Sequence, residues 1–170
     1  MGISPSESGG APLPPRLDTS TAHSARVWNY LLGGKDNFAA DREVGDLVLR
    51  MFPGIAHLAR LQRRFLARAV RFLAGEAGIR QFLDIGTGLP TADNTHQIAQ
   101  QVAPESRIVY NQNSASSYHL RSPEEIARFF DGLTLVPPGV VATSRWRPDL
   151  ADASAEPREV DATCGVGRKD

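Results

Sequence analysis

The stretch that most constrains the fold is Gln81-Phe82-Leu83-Asp84-Ile85-Gly86-Thr87-Gly88-Leu89-Pro90, an apolar run that closes on an acid and a pair of glycines. It reads as a strand feeding a tight turn. Gly86 and Gly88 let the backbone turn sharply and bring its N–H groups close to a ligand, with no Cβ in the way. Such a turn can hold a nucleotide-like cofactor. A dinucleotide fingerprint needs a further small residue three positions after the second glycine, for close helix packing. Here that position is Thr91 and Pro90 precedes it, so a nicotinamide site ranks low.

The flanking pattern supports an α/β unit. A helix is expected over residues 91–102 and a second strand at Arg107-Ile108-Val109-Tyr110. Strand, turn, helix and strand in that order make a βαβ unit, which implies a parallel pair joined by a right-handed crossover. Beyond Tyr110 the sequence turns small and polar, from Asn111 to Ser117. Ser122-Pro123-Glu124-Glu125 then combines a capping serine, a first-turn proline and a glutamate three residues on, and so starts a helix. Residues 133–136 read as a strand, Pro137-Pro138-Gly139 as a turn, and the region from Cys164 to Gly167 as a last strand after an acidic, alanine-rich loop at 149–160.

Upstream of the glycine turn the chain reads as helical. Residues 1–17 are rich in Ser, Gly and Pro and are expected to form a disordered leader. Asp18, Thr19 or Ser20 then caps a helix carrying Val27, Trp28 and Leu31, which Gly33-Gly34 stops. A second helix from Asp41 presents Val44, Leu47, Val48 and Met51 on one face. The third, Ile55 to Leu73, has the clearest period: Leu58, Leu61, Phe65, Leu66, Ala69 and Phe72 on one side. Arg60, Arg63, Arg64, Arg68 and Arg71 fall on the other, which is expected to be a solvated face rather than a nucleic-acid grip.

The 170-residue chain suits one domain with a sizeable core. Its 19 basic and 19 acidic residues cancel, so no net field draws it to nucleic acid or anionic membrane. Cys164 is the only cysteine, which excludes an internal disulfide and a multi-cysteine zinc site and suits the cytoplasm. No apolar run approaches membrane-spanning length. The histidines at 23, 57, 96 and 119 are scattered, and none is singled out as a general base.

Three blocks together carry a resemblance: Thr21 to Phe38, which contains Asn29-Tyr30-Leu31-Leu32-Gly33-Gly34-Lys35-Asp36-Asn37; Phe82 to Thr91; and Arg128-Phe129-Phe130-Asp131-Gly132 with the terminal Gly165-Val166-Gly167-Arg168-Lys169. On these the chain resembles a bacterial S-adenosyl methyltransferase family formerly classed as a domain of unknown function. The resemblance implies a class I, Rossmann-like methyltransferase sheet preceded by a helical cap that closes over S-adenosylmethionine (SAM). It places the cap at 18–75 and the sheet domain at 76–170. By the same likeness Asp84, Gly86 and Gly88 line the methionine side of SAM, while Tyr30, Gly33, Lys35 and Asn37 border the pocket from the cap. Lys35 can then neutralise the cofactor carboxylate.

One departure from the family pattern stands out. Where a class I methyltransferase ends its second strand in an acid that grips the ribose, Val109-Tyr110 runs into Asn111-Gln112-Asn113. The chain then joins what resembles the helix before the last hairpin, so about a hundred residues with the central strands are expected to be missing. Asn111 or Asn113 is left to accept a ribose hydrogen bond. The truncated sheet exposes an edge that favours self-association. The leading expectation is thus a SAM-dependent methyltransferase of unread acceptor and catalytic base, with activity impaired by the shortened middle. The alternative is a degenerate, non-catalytic binding or regulatory module.

Overall fold

Three helices come before the first strand, and polar contacts set where each begins. In the computed structural model the described residues are 17–89, 94–111, 120–149 and 160–170. The expected leader apart from Leu17, with Pro90, Thr91, Asn113, His119 and most of the acidic loop, lies outside them. Helix α1 (Ser24–Leu31) is capped by His23, whose Nδ1 accepts the Ala25 N–H at 3.3 Å. The expected cap at residues 18–20 is therefore corrected. Asp18 accepts the Ser20 hydroxyl at 2.7 Å and the Ser20 N–H at 2.9 Å, a local turn that competes with helix and holds its carboxyl far below the usual range.

Helix α2 (Ala39–Met51) packs on α1 through Asp41 and Gly45. The tight approach at Gly45 decides its rotation, because a Cβ there would sit 2.4 Å from Cδ1 of Tyr30. Of the four residues expected on one face of this helix, Val44, Leu47 and Met51 are exposed and Val48 is half-buried.

Helix α3 (Ile55–Arg71) runs on into a π-helical turn at Phe72–Glu76 and is wrapped on more than one side. Ala67 and Val70 pack with Ile98, Ala99, Leu66, Phe82 and Ile108. Ala69, Phe65 and Phe72 pack with Trp146 and Cys164. This second contact corrects the solvated arginine face. Arg68 is buried and donates to the carbonyls of Trp146 at 2.8 Å and Thr143 at 2.6 Å, while Arg63 turns toward the glycine turn. Arg60, Arg64 and Arg71 remain exposed.

The βαβ unit forms as expected. Strand β1 (Gln81–Ile85) pairs in parallel with β2 (Arg107–Asn111), in register from Gln81 opposite Arg107 to Ile85 opposite Asn111, with α4 (Thr95–Val102) between them in sequence. Phe82, Asp84, Ile108 and Tyr110 face the helices. Leu83, Ile85 and Val109 point the other way and are 65%, 60% and 64% exposed. A parallel sheet is normally covered on both faces; this one is covered on one.

Helix α5 (Pro123–Ala127) begins at the expected box, with Ser122 Oγ accepting the Glu125 N–H and Glu125 Oε2 accepting the Ser122 N–H. Past Gly132 the chain forms four short strands, β3 (Thr134–Leu135), β4 (Val141–Ala142), β5 (Thr163–Cys164) and β6 (Gly167–Arg168). β3 pairs antiparallel with β6, and β4 with β5, so the single expected last strand is two pieces with different partners. Among the described residues no helix is long and apolar enough to cross a membrane.

Candidate functional site

A cavity of about 1050 Å³ opens where α1, the loop before α2, and α3 meet the carboxyl ends of β1 and β2. Crevices at the carboxyl ends of parallel strands are where α/β sheets bind ligands. Asp84, Gly86, Thr87 and Gly88 contribute its sheet wall, and Lys35, Asp36 and Asn37 face it from the loop between α1 and α2. The two blocks singled out in the sequence, more than forty positions apart, thus share one chamber.

Asp84, the last residue but one of β1, is only 6% exposed. A buried carboxylate needs hydrogen-bond donors, and it has two hydroxyls. Thr87 donates to Oδ1 at 2.6 Å and Thr95, at the start of α4, donates to Oδ2 at 2.5 Å. Positive φ at Gly86 (76°) and Gly88 (89°) folds the turn back over this carboxylate. Tyr110, the register partner of Asp84, lines the same cavity, and its hydroxyl accepts the His96 N–H at 3.0 Å and lies 2.7 Å from His96 Nδ1.

The cap side is built on a buried polar network. Asp41 is 0% exposed, and its carboxylate accepts the His23 N–H at 2.9 Å, the Phe38 N–H at 2.8 Å and Arg26 Nε at 2.8 Å. Burial works against its charge, but these donors outweigh it and hold the carboxyl below the usual aspartate range. Arg26 and Phe38 both line the cavity, so this pair fixes the cap wall.

The expected cap residues separate into two groups. Lys35 and Asn37 line the cavity. Asn37 is also a scaffold: its Nδ2 donates to Asn29 Oδ1 and to the Gly34 carbonyl, each at 2.9 Å, and its Oδ1 accepts from Arg42. Tyr30 and Gly33 are not among the lining residues. Tyr30 donates to Asp46 Oδ1 at 2.7 Å in the α1–α2 contact, and Gly33, at φ 80°, ends α1. Asn111 lines the cavity at the end of β2.

The profile of the S-adenosyl methyltransferase family matches residues 11–115 and 111–170. The chain belongs to this family. Two solved structures are similar over nearly the whole S-adenosyl methyltransferase chain. A DUF574 family protein from Streptomyces avermitilis is 28% identical, with a TM-score of 0.78, 91% of this chain covered and 100% of that one. A provisionally assigned methyltransferase from Thermobifida fusca is 30% identical, with a TM-score of 0.76 over 90% of this chain and 97% of its own. No curated protein matches. Family membership implies SAM as cofactor, and the donor set fits it: a carboxylate, a lysine and a glycine turn around one cavity suit an amino-acid zwitterion on a nucleoside.

The residues that hold this cavity in shape are not legible in the sequence. Thr95 and Arg63 give no local signal, because each acts across eleven or more positions on a partner that only the fold brings near. Asp41 was read as a helix start, and its neighbour in space, Arg26, as one more residue of α1.

Proposed function

We propose that the chain is a SAM-dependent methyltransferase whose cofactor lies between the glycine turn and the loop before α2. One observation carries the reading: Lys35 shares a cavity with Asp84, Gly86 and Gly88. When bound, SAM supplies an electrophilic methyl on a sulfonium. In this reading the glycine turn takes the methionine portion, and Asp84, kept charged-side inward by two threonines, fixes the turn. Lys35 meets the cofactor carboxylate, and Asn37 shapes the loop that presents Lys35, with Tyr30 and Gly33 setting that loop's base. The aromatic wall of Trp28, Phe38 and Phe65 keeps water from the acceptor side.

The shortened middle belongs to the same proposal. Its support is the family match in two pieces that meet at 111–115, where β2 ends. Without an acid at that strand end, Asn111 is the remaining ribose contact among the described residues, and binding is weak. The free thiol of Cys164 fits a cytoplasmic setting.

Calorimetric titration with SAM tests the reading. Binding is expected in the wild type, with Lys35→Met and Asp84→Asn each weakening it about tenfold or more. No heat at millimolar SAM removes it. The bare face at Leu83, Ile85 and Val109 favours the second reading, a non-catalytic module that associates with itself or a partner. Sedimentation that detects self-association, with SAM having no effect on it and no heat of its own, selects that reading.

A further inference from the structure

The glycine turn has a tether that belongs to the cap rather than to the sheet. Arg63, in the middle of α3, donates through one nitrogen, Nη2, to the carbonyl of Thr87 at 2.9 Å and to that of Leu89 at 3.2 Å. That nitrogen also lies 3.6 Å from where a Cβ on Gly88 would stand, so the guanidinium is packed against the turn as well as bonded to it. A turn with two glycines at positive φ adopts its shape without strain but loses more backbone freedom than any other sequence would, so it stays ordered only if something else holds it. Among the described residues two holds act on Thr87: Asp84 Oδ1 accepts a hydrogen bond from its hydroxyl and Arg63 donates to its carbonyl.

We infer that Arg63 is a positioning residue for cofactor binding: it fixes the glycine turn in its binding shape and ties that shape to helix α3. The inference rests on the cofactor reading above and adds a mechanical consequence. Because α3 is pinned both to the glycine turn by Arg63 and to the turn after β4 by Arg68, it is tied to the sheet domain.

Hydrogen exchange on the full, cofactor-free chain tests the tether without relying on SAM. Arg63→Met, which keeps the apolar stem and removes the donors, is expected to speed amide exchange at 86–89 by about tenfold or more, while Ile98 and Ala99 in the core keep their rates. SAM affinity is expected to fall about ten- to a hundredfold in the same variant. Arg63→Lys, whose single ammonium can serve both carbonyls, restores part of each, and Arg60→Met, on the exposed side of the same helix, changes neither. Should Arg63→Met fail to fold, Arg63→Lys carries the comparison, with a smaller but still local rise at 86–89.

Exchange at 86–89 that ignores both substitutions, or rises equally at Ile98 and Ala99, overturns the inference. Exchange that responds locally in a chain that takes up no SAM supports the tether and removes the cofactor reading. Normal SAM uptake in Arg63→Met overturns the positioning role and leaves the cofactor reading standing.

Discussion

Replacing Asp41 by asparagine is the sharpest test of how the cap is held. Oδ1 accepts from His23, and Oδ2 accepts from both Phe38 and Arg26. Asparagine offers one oxygen where two are used, so its NH2 must face at least one N–H donor, and Arg26 loses its counter-charge in a buried site. Breaking one side of a buried ion pair costs about 3–5 kcal/mol. At about 2–4 °C per kcal/mol for a chain of this size, the melting temperature should fall by roughly 6–20 °C.

The pH dependence supplies a second, independent reading of the same residue. The Asp41 carboxyl titrates lower in the folded chain than in the unfolded one, so its stabilisation is complete above the unfolded value of about 3.9 and is lost as pH falls through the folded value. The difference between wild type and Asp41→Asn should therefore be full at neutral pH and shrink in acid. Urea denaturation followed by tryptophan fluorescence at neutral and acid pH measures both quantities. A cost below about 1 kcal/mol at neutral pH, the value for an exposed pair, would refute the argument, as would a difference that does not narrow in acid.

Three further outcomes are expected. Gly45→Ala puts a methyl 2.4 Å from the Tyr30 ring, so it should cost about 1–3 kcal/mol and separate Tyr30 from Asp46; chemical denaturation checks the first and tyrosine fluorescence the second. Burial pushes the Cys164 thiol up to about 12, against a smaller opposing pull from Arg68, so a thiol reagent at pH 8 should label it only as fast as the chain opens. Because that folded value lies above the unfolded one, the stability tied to this thiol is complete below about pH 8.5 and declines as pH rises toward the folded value. Leu83→Lys with Val109→Glu, opposite charges on register partners, should leave thermal stability nearly unchanged and reduce any self-association in sedimentation velocity, since both side chains already face outward.

The sequence by itself determined the elements whose causes are local. The turn at Gly86 and Gly88, the capping box at Ser122 and the Asn29–Asn37 block are each written within a few neighbouring residues, the βαβ unit between Gln81 and Asn111, and the family could be read from them. Tertiary structure alone decided what those pieces do to one another. Five arginines spaced along α3 look alike in the sequence, yet Arg68 is drawn inward by carbonyls seventy-five and seventy-eight residues away, and Arg63 by those of the glycine turn. Val44, Leu47 and Met51 share an apolar face of α2 yet are exposed, while Gly45 on the same helix is buried against the Tyr30 ring. Periodicity reports which side of a helix is apolar; which side is covered depends on partners that only the folded chain brings into reach.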